Sequence, residues 1–123
     1  MSLVTLSAVA LGGAVGAVAR YLVHQGLTLW HGAAAAWSTL AVNVTGSFLL
    51  GLAVATLMGR PGVLAPAVTV GLLGAFTTFS AFALDAVTLF KDRGIPVAAL
   101  YVALSVSLSI LAFVGGTAAQ RGL

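Results

Sequence analysis

Charge is what this chain has least of. Asp, Glu, Lys and Arg make up 6% of its residues, against about 25% in a soluble domain. That shortage excludes an ordinary water-soluble protein. Cysteine is absent, which excludes disulfides and thiolate metal sites and leaves the redox compartment unreadable. The acidic residues are Asp85 and Asp92 alone, and the basic ones, Arg20, Arg60, Lys91, Arg93 and Arg121, lie singly near segment ends. No basic stripe of the kind nucleic-acid binding requires is present. With so few titratable groups, no nucleophile–base–acid set can be assembled, so the chain does not read as an enzyme. No positive region precedes the first apolar run, so Leu3 onward reads as a retained span and not a cleaved signal.

What remains is apolar. The sequence is 61% hydrophobic with a mean hydropathy of +1.18 over 123 residues. A membrane span takes roughly 20 apolar residues. Four fit, giving an all-α integral membrane protein with a single four-helix transmembrane domain over residues 1–123. Segment one runs from about Leu3 to Val23 and carries Gly12, Gly13 and Gly16, whose Gly-xxx-Gly spacing lets another helix approach closely. Arg20 lies about one turn from its end, beside Tyr21. Interfacial anchoring and a role at an anion entrance are both open for it. His24 to Ala36 reads as a connection containing Trp30 and His31, and two histidines seven apart are a poor metal signal.

Segment two runs from about Trp37 to Met58. Its exceptional residue is Asn43, a full amide inside an apolar span, where an unpartnered amide is costly. It must face protein or water, and a purely structural interhelical hydrogen bond is one alternative. Thr39 shares its face at a spacing of four, and Ser47 extends the line; Ser47-xxx-Gly51 also fits a close helix contact. Gly59-Arg60-Pro61-Gly62 is a turn. Segment four, about Ile95 to Thr117, carries Tyr101, Ser105 and Ser109 at spacings of four, a second polar line. Serines in membrane helices often bond only their own backbone, so that line gains weight only beside Asn43 and Thr39.

Segment three, about Ala65 to Phe90, is the least uniform. Gly71-Leu72-Leu73-Gly74-Ala75-Phe76-Thr77-Thr78-Phe79-Ser80-Ala81-Phe82 crowds glycines, β-branched threonines and a serine into the middle of a span. These residues weaken a helix, and freed backbone at membrane depth is tolerated only against protein or a water-filled cavity. The expectation is a helix broken at mid-membrane around Ala75 to Thr78. The first half would end in free carbonyls suited to a cation such as Na⁺, and the second would begin with amides suited to an anion. Phe79 and Phe82 share a face of that second half. Their electron-poor ring edges suit a path for a small anion, and plain packing is the other reading. Asp85 is the one acid inside a span, a functional candidate by default, and pairing with a basic residue is open to it. Lys91-Asp92-Arg93-Gly94 reads as a charged turn.

Charge also speaks to orientation. With four spans, Arg60 and Arg121 fall on one side and Arg20, Lys91 and Arg93 on the other. Orientation follows an excess of basic residues on the cytoplasmic side, and here that excess nearly vanishes. Insertion both ways, with pairing into an antiparallel two-fold dimer, is the corresponding expectation.

Three runs then carry a resemblance: Gly12-Gly13-Ala14-Val15-Gly16-Ala17-Val18-Ala19-Arg20-Tyr21, Thr39-Leu40-Ala41-Val42-Asn43-Val44-Thr45-Gly46-Ser47-Phe48, and Gly74-Ala75-Phe76-Thr77-Thr78-Phe79-Ser80-Ala81-Phe82. In order and spacing the sequence closely resembles the bacterial fluoride channel family (Fluc, also called CrcB). The resemblance implies an antiparallel, dual-topology homodimer in the inner membrane, with two fluoride pores and a structural Na⁺ at the dimer interface. Gly74 and Thr77 match the positions whose carbonyls hold Na⁺. Phe79 and Phe82 match the ring pair lining the pores, Asn43 the pore amide donor, and Tyr101, Ser105 and Ser109 the fourth-helix polar track. Thr39 and Thr78 fall on the same pore, and Arg20 matches the basic vestibule residue. The third run departs from the family's usual Gly-Gly-Phe-Thr-Thr-Phe-Ser-Thr-Phe-Ser-x-Glu at Ala75, Ala81, Ala83 and Asp85. Fluoride, the lipid bilayer and a second copy are the implied partners. Two rivals stand beside this reading: a proton-coupled exporter, which needs a titratable carboxylate in its transport site, and a packing subunit that conducts nothing.

Overall fold

The computed structural model describes residues 2–30 and 34–122. Helix α1 (Leu3–Gln25) is capped by Ser2, whose hydroxyl accepts from the Val4 amide at 3.2 Å. It does not stop near Val23 as expected but continues through a π-helical turn, Gly26–Trp30. The reason is local. Gln25 Nε2 donates to Tyr21 Oη at 2.9 Å, Thr28 Oγ1 donates to the His24 carbonyl at 2.7 Å, and Gly26 keeps a right-handed helical backbone. His24 therefore belongs to a helix and not to a connection, Trp30 ends the π-turn, and His31 lies outside the described residues.

Helix α2 (Ala35–Leu57) is followed by a turn in which Gly59 and Gly62 take φ of +84° and +107°, a region open chiefly to glycine. The third span, Leu64–Arg93, is composite. It holds a short α3 (Leu64–Pro66), a π-helical stretch Ala67–Leu73, a short α4 (Gly74–Phe76), and α5 (Phe79–Arg93). The residues expected as a charged turn, Lys91 to Arg93, complete the last turn of α5, where basic side chains suit the helix dipole. Gly94, at φ +85°, reverses the chain alone, and α6 (Ile95–Arg121) starts with Pro96 in its first turn. Among the described residues four helices are long and apolar enough to cross a membrane.

Two close contacts arrange these spans, each made by glycine. A β-carbon at Gly12 or Gly16 would strike the carbonyls of Ala67 or Leu72, and one at Gly71 would strike that of Val9. Helix α1 thus lies backbone to backbone along the first half of the third span. The contact of α2 with α6 is reciprocal: Gly51 abuts the Phe113 carbonyl and Gly116 abuts that of Phe48. In lipid, where apolar side chains gain little by association, small residues of this kind drive helix packing. Few side chains are shielded inside the chain, and Leu3, Leu29, Leu84 and Leu111 are among many large apolar ones left exposed. They offer a surface to lipid or to another protein. Helix α2 meets the third span where Asn43 pairs with Thr78.

Candidate functional site

The site is built around Thr77 and Thr78. Both have extended backbones, with φ, ψ of −80°, 159° and −153°, 118°, between the helical turns of α4 and α5. Each threonine caps one side of the gap. Thr77 Oγ1 donates to the Leu73 carbonyl at 3.0 Å, the same oxygen that takes the Thr77 amide. Thr78 Oγ1 accepts from the Ala81 amide at 3.1 Å, the usual arrangement at a helix N-terminus. Asn43 fills the remaining need from α2. Its Oδ1 accepts from the Thr78 N–H at 2.7 Å, and its Nδ2 donates to the Thr78 carbonyl at 2.9 Å. One amide side chain is paired with both backbone groups of one extended residue. Gly46, three residues on and so on the same face, has no β-carbon to obstruct this approach; one there would strike Thr77 Cγ2.

A cavity of about 300 Å³ opens beside the gap. Asn43, Ser47, Thr77, Thr78, Phe79, Phe82, Ser105 and Ser109 line it, with Leu50, Val106 and Ile110 completing the wall. Phe79 and Phe82 have ring centroids 5.2 Å apart and inclined at 45°. Phe82 stacks on Tyr101 at 5.7 Å, and Tyr101 meets Trp37 edge-on at 6.3 Å. Phe79 is 78% exposed, so it has no opposing wall within the chain. Ser105 is 5% exposed, and its Oγ is buried without a hydrogen-bond partner of good geometry. An unmet hydroxyl in such a wall is costly unless a ligand or water meets it.

A second cavity, of about 390 Å³, lies on the other side of Thr78, which lines both. Arg20, Tyr21, His24, Ser38, Thr39 and Asp85 give it its polar character. Here the buried polar groups have partners. His24 Nδ1 is 2.5 Å from Ser38 Oγ, Ser38 and Thr39 donate to the Ala35 carbonyl, and Asp85 Oδ2 accepts from Tyr101 Oη at 3.4 Å. The partner of Asp85 is thus a phenol, Tyr101, and not a basic residue. The reason is position: α5 turns Asp85 toward α6, where Tyr101 is fully buried.

Of the residues singled out in the sequence, Asn43, Thr78, Phe79, Phe82, Ser105 and Ser109 share the first cavity, with Thr77. Thr39 and Arg20 lie in the second. Tyr101 stands between them, touching Phe82 on one side and Asp85 on the other. The single polar face expected along α2 is therefore divided: Asn43 and Ser47 look to one cavity and Thr39 to the other. Gly74 is exposed beside the gap, and the Thr78 N–H that an unbroken helix would offer its carbonyl goes to Asn43 instead. Among the described residues no cluster of three or more His, Cys, Asp or Glu could hold a metal. What the gap offers a cation is backbone oxygen. The His24–Ser38 contact and the clearance at Gly46 were not singled out in the sequence. The second had a signal, the three-residue spacing from Asn43.

Four helices apolar and long enough to span a membrane, gathered around a polar cleft, define a multi-pass helical membrane protein. The family described as CrcB-like protein, Camphor Resistance (CrcB), matches residues 7–117, and the chain belongs to that family. A protein of Cereibacter sphaeroides named Fluoride-specific ion channel FluC is 50% identical over 118 residues, covering 96% of this chain and 95% of that one. Relatives of the same name from Rhizobium etli and Rhodospirillum centenum are 47% and 48% identical, over 94% and 93% of this chain and the same shares of their own. Membership of this family places the chain in a membrane, in bacteria the inner one.

Proposed function

We propose that the chain is a fluoride-specific ion channel that lets fluoride leave the cytoplasm passively, working as an antiparallel, dual-topology homodimer with two pores. The observation that carries this reading is the 50% identity, over nearly the full length of both chains, to a protein named for that activity. The physics of the first cavity supports it. A small hard anion needs donors to replace its hydration shell, and the wall supplies neutral ones. Asn43 Nδ2 has a second proton beyond the one given to Thr78. Ser105 Oγ is buried without a hydrogen bond of good geometry, Ser109 adds a hydroxyl, and Phe79 and Phe82 add ring edges. Tyr101 Oη, which donates to Asp85 Oδ2 at 3.4 Å, also faces Ser105 and Thr39 and so joins the two polar lines. Arg20 with Thr39 forms the vestibule, where a positive charge raises the local anion concentration.

The exposed Phe79 ring and the open side of the cavity suit a wall supplied by a second copy. A structural Na⁺ at that interface fits the residues present. Gly74 is exposed, its carbonyl is relieved of the Thr78 amide, and Thr77 ends a helical turn, the carbonyl arrangement that holds Na⁺ in discontinuous helices. Bound there, Na⁺ would neutralise converging carbonyl dipoles; it takes no part in conduction. No reaction is catalysed. The driving force is the membrane potential, about 2.3 kcal/mol per charge per 100 mV, acting on fluoride that entered as neutral hydrogen fluoride and ionised inside.

The test is anion efflux from liposomes that contain only the purified protein, with fluoride and chloride at matched gradients. Fast fluoride loss without chloride loss, driven by potential alone, is the expected result. Absence of fluoride efflux from a folded dimer would favour a packing subunit, and proton-coupled movement of organic cations would favour an exporter.

A further inference from the structure

Asn43 has two bonds to one residue, and their consequence reaches beyond the cavity wall. In an uninterrupted helix each N–H bonds the carbonyl four residues back. Thr78 N–H would then close on Gly74, and the third span would continue through the gap. Threonine is a weak obstacle to that closure, since its intrinsic helix penalty is small, and glycine at position 74 adds only a modest one. In a dry environment, each backbone group left unpaired at the gap costs more than these penalties. Something must therefore supply Thr78 with partners if the gap is to persist, and Asn43 supplies both.

We infer that Asn43 is a positioning residue for the third span: by taking the Thr78 N–H it keeps the gap open and leaves the Gly74 carbonyl free for a cation. The use of that carbonyl rests on the proposed Na⁺ site, whereas the control of the gap does not. The assignment is distinct from any contact between Asn43 and a permeating anion, which would use the other Nδ2 proton. Gly46 belongs to the same device, since its missing side chain lets Thr77 come close enough to α2 for the bonds to form.

Two features of the sequence make the test selective. Asn43 is the chain's only asparagine, and Thr77–Thr78 is its only Thr–Thr peptide bond. Solid-state NMR on the full chain in liposomes, with labelled threonine and asparagine, isolates the Thr77 carbonyl, the Thr78 amide and the Asn43 side chain. Asn43→Leu should move the Thr77 and Thr78 shifts from extended to helical values and abolish any rise in thermal stability on adding Na⁺. Extended shifts in a folded Asn43→Leu protein would overturn the inference, as would helical shifts with the Na⁺ response intact. If that variant does not assemble, the wild type decides. Exchange of Na⁺ for a large organic cation should leave Thr77 and Thr78 extended and Asn43 Nδ2 in contact with the Thr78 carbonyl. Conversion to helical shifts on Na⁺ removal would mean that the ion, and not Asn43, makes the gap. A wild type whose thermal stability ignores Na⁺ would sink the cation reading alone, because the threonine shifts still report on Asn43.

Discussion

The two cavities flanking Thr78 are built from the same elements and treat polar groups in opposite ways. On the side of Arg20 and His24, the charged and titratable residues are gathered, and the buried hydroxyls of Ser38 and Thr39 are bonded to His24 or to the Ala35 carbonyl. On the side of Phe79 and Phe82 no charged side chain lines the wall, and the buried Ser105 hydroxyl faces Tyr101 without a hydrogen bond of good geometry. A satisfied group is part of the scaffold, whereas an unsatisfied one keeps capacity for a guest. Charge gathered at one end can attract an anion without trapping it, since conduction requires binding weak enough for release. Neutral donors beyond it can then replace water selectively. On the proposed channel function, the difference would give capture to the first side and selection to the second.

If that division is right, the largest effect on flux comes from the neutral side. Phe82 touches both Phe79 and Tyr101, so Phe82→Ile removes a ring edge from the cavity and loosens the ring next to Asp85. A loss of about 3 kcal/mol at the barrier would slow fluoride efflux by about a hundredfold, with the dimer intact by size-exclusion chromatography. Wild-type flux would show that the rings only pack. Ser105→Ala is the next step down. A hydrogen bond to a charged partner is worth about 1.5–3 kcal/mol, so flux should fall by at least about tenfold. Removing a buried hydroxyl that makes no hydrogen bond of good geometry should leave thermal stability unchanged or raised. Lower stability with unaltered flux would reverse the assignment.

The same contrast explains what could be read from the chain beforehand. The four spans were legible because hydropathy is a local property. The gap was legible in part: glycine and threonine signal weak helix, and they located it within a few residues. Its position at Thr77–Thr78 is set by Asn43, 35 positions away in sequence, together with the space left by Gly46. The division of the α2 polar face was hidden for a similar reason. Thr39, Asn43 and Ser47 do follow one face, but Thr78 enters from another span and separates their surroundings. The π-helical stretch Ala67–Leu73 left no mark in the sequence, although Gly12 and Gly16 signalled the close helix packing against it. His24 belongs to the helix because the Gln25–Tyr21 and Thr28–His24 bonds carry it onward, contacts that hydropathy does not reveal.

The charged side should respond more weakly and in a different way. Arg20→Gln removes a charge that acts at a distance, so its effect depends on screening. The Debye length is about 30 Å at 0.01 M salt and about 10 Å at 0.1 M. Fluoride efflux should therefore drop a few-fold at low ionic strength and approach the wild-type rate as an inert salt is added. A deficit that ignores salt would mean that Arg20 touches the ion directly or holds the helix in place.

Ser38→Ala sets the lower limit of the series and tests the idea that partnered groups are scaffold. Ser38 is fully buried and joined to His24 and to the Ala35 carbonyl, so its removal strips His24 of a partner. Hydrogen bonds between membrane helices contribute about 0.6 kcal/mol on average, and a thermal or denaturant assay in detergent should register a loss of that order. Flux per assembled dimer should not change, because Ser38 bonds its own neighbours and offers nothing to a passing anion. A fall in flux as large as that of Ser105→Ala would place Ser38 on the conduction path. The boundary between capture and selection would then have to move from Thr78 to the far end of the Arg20 cavity.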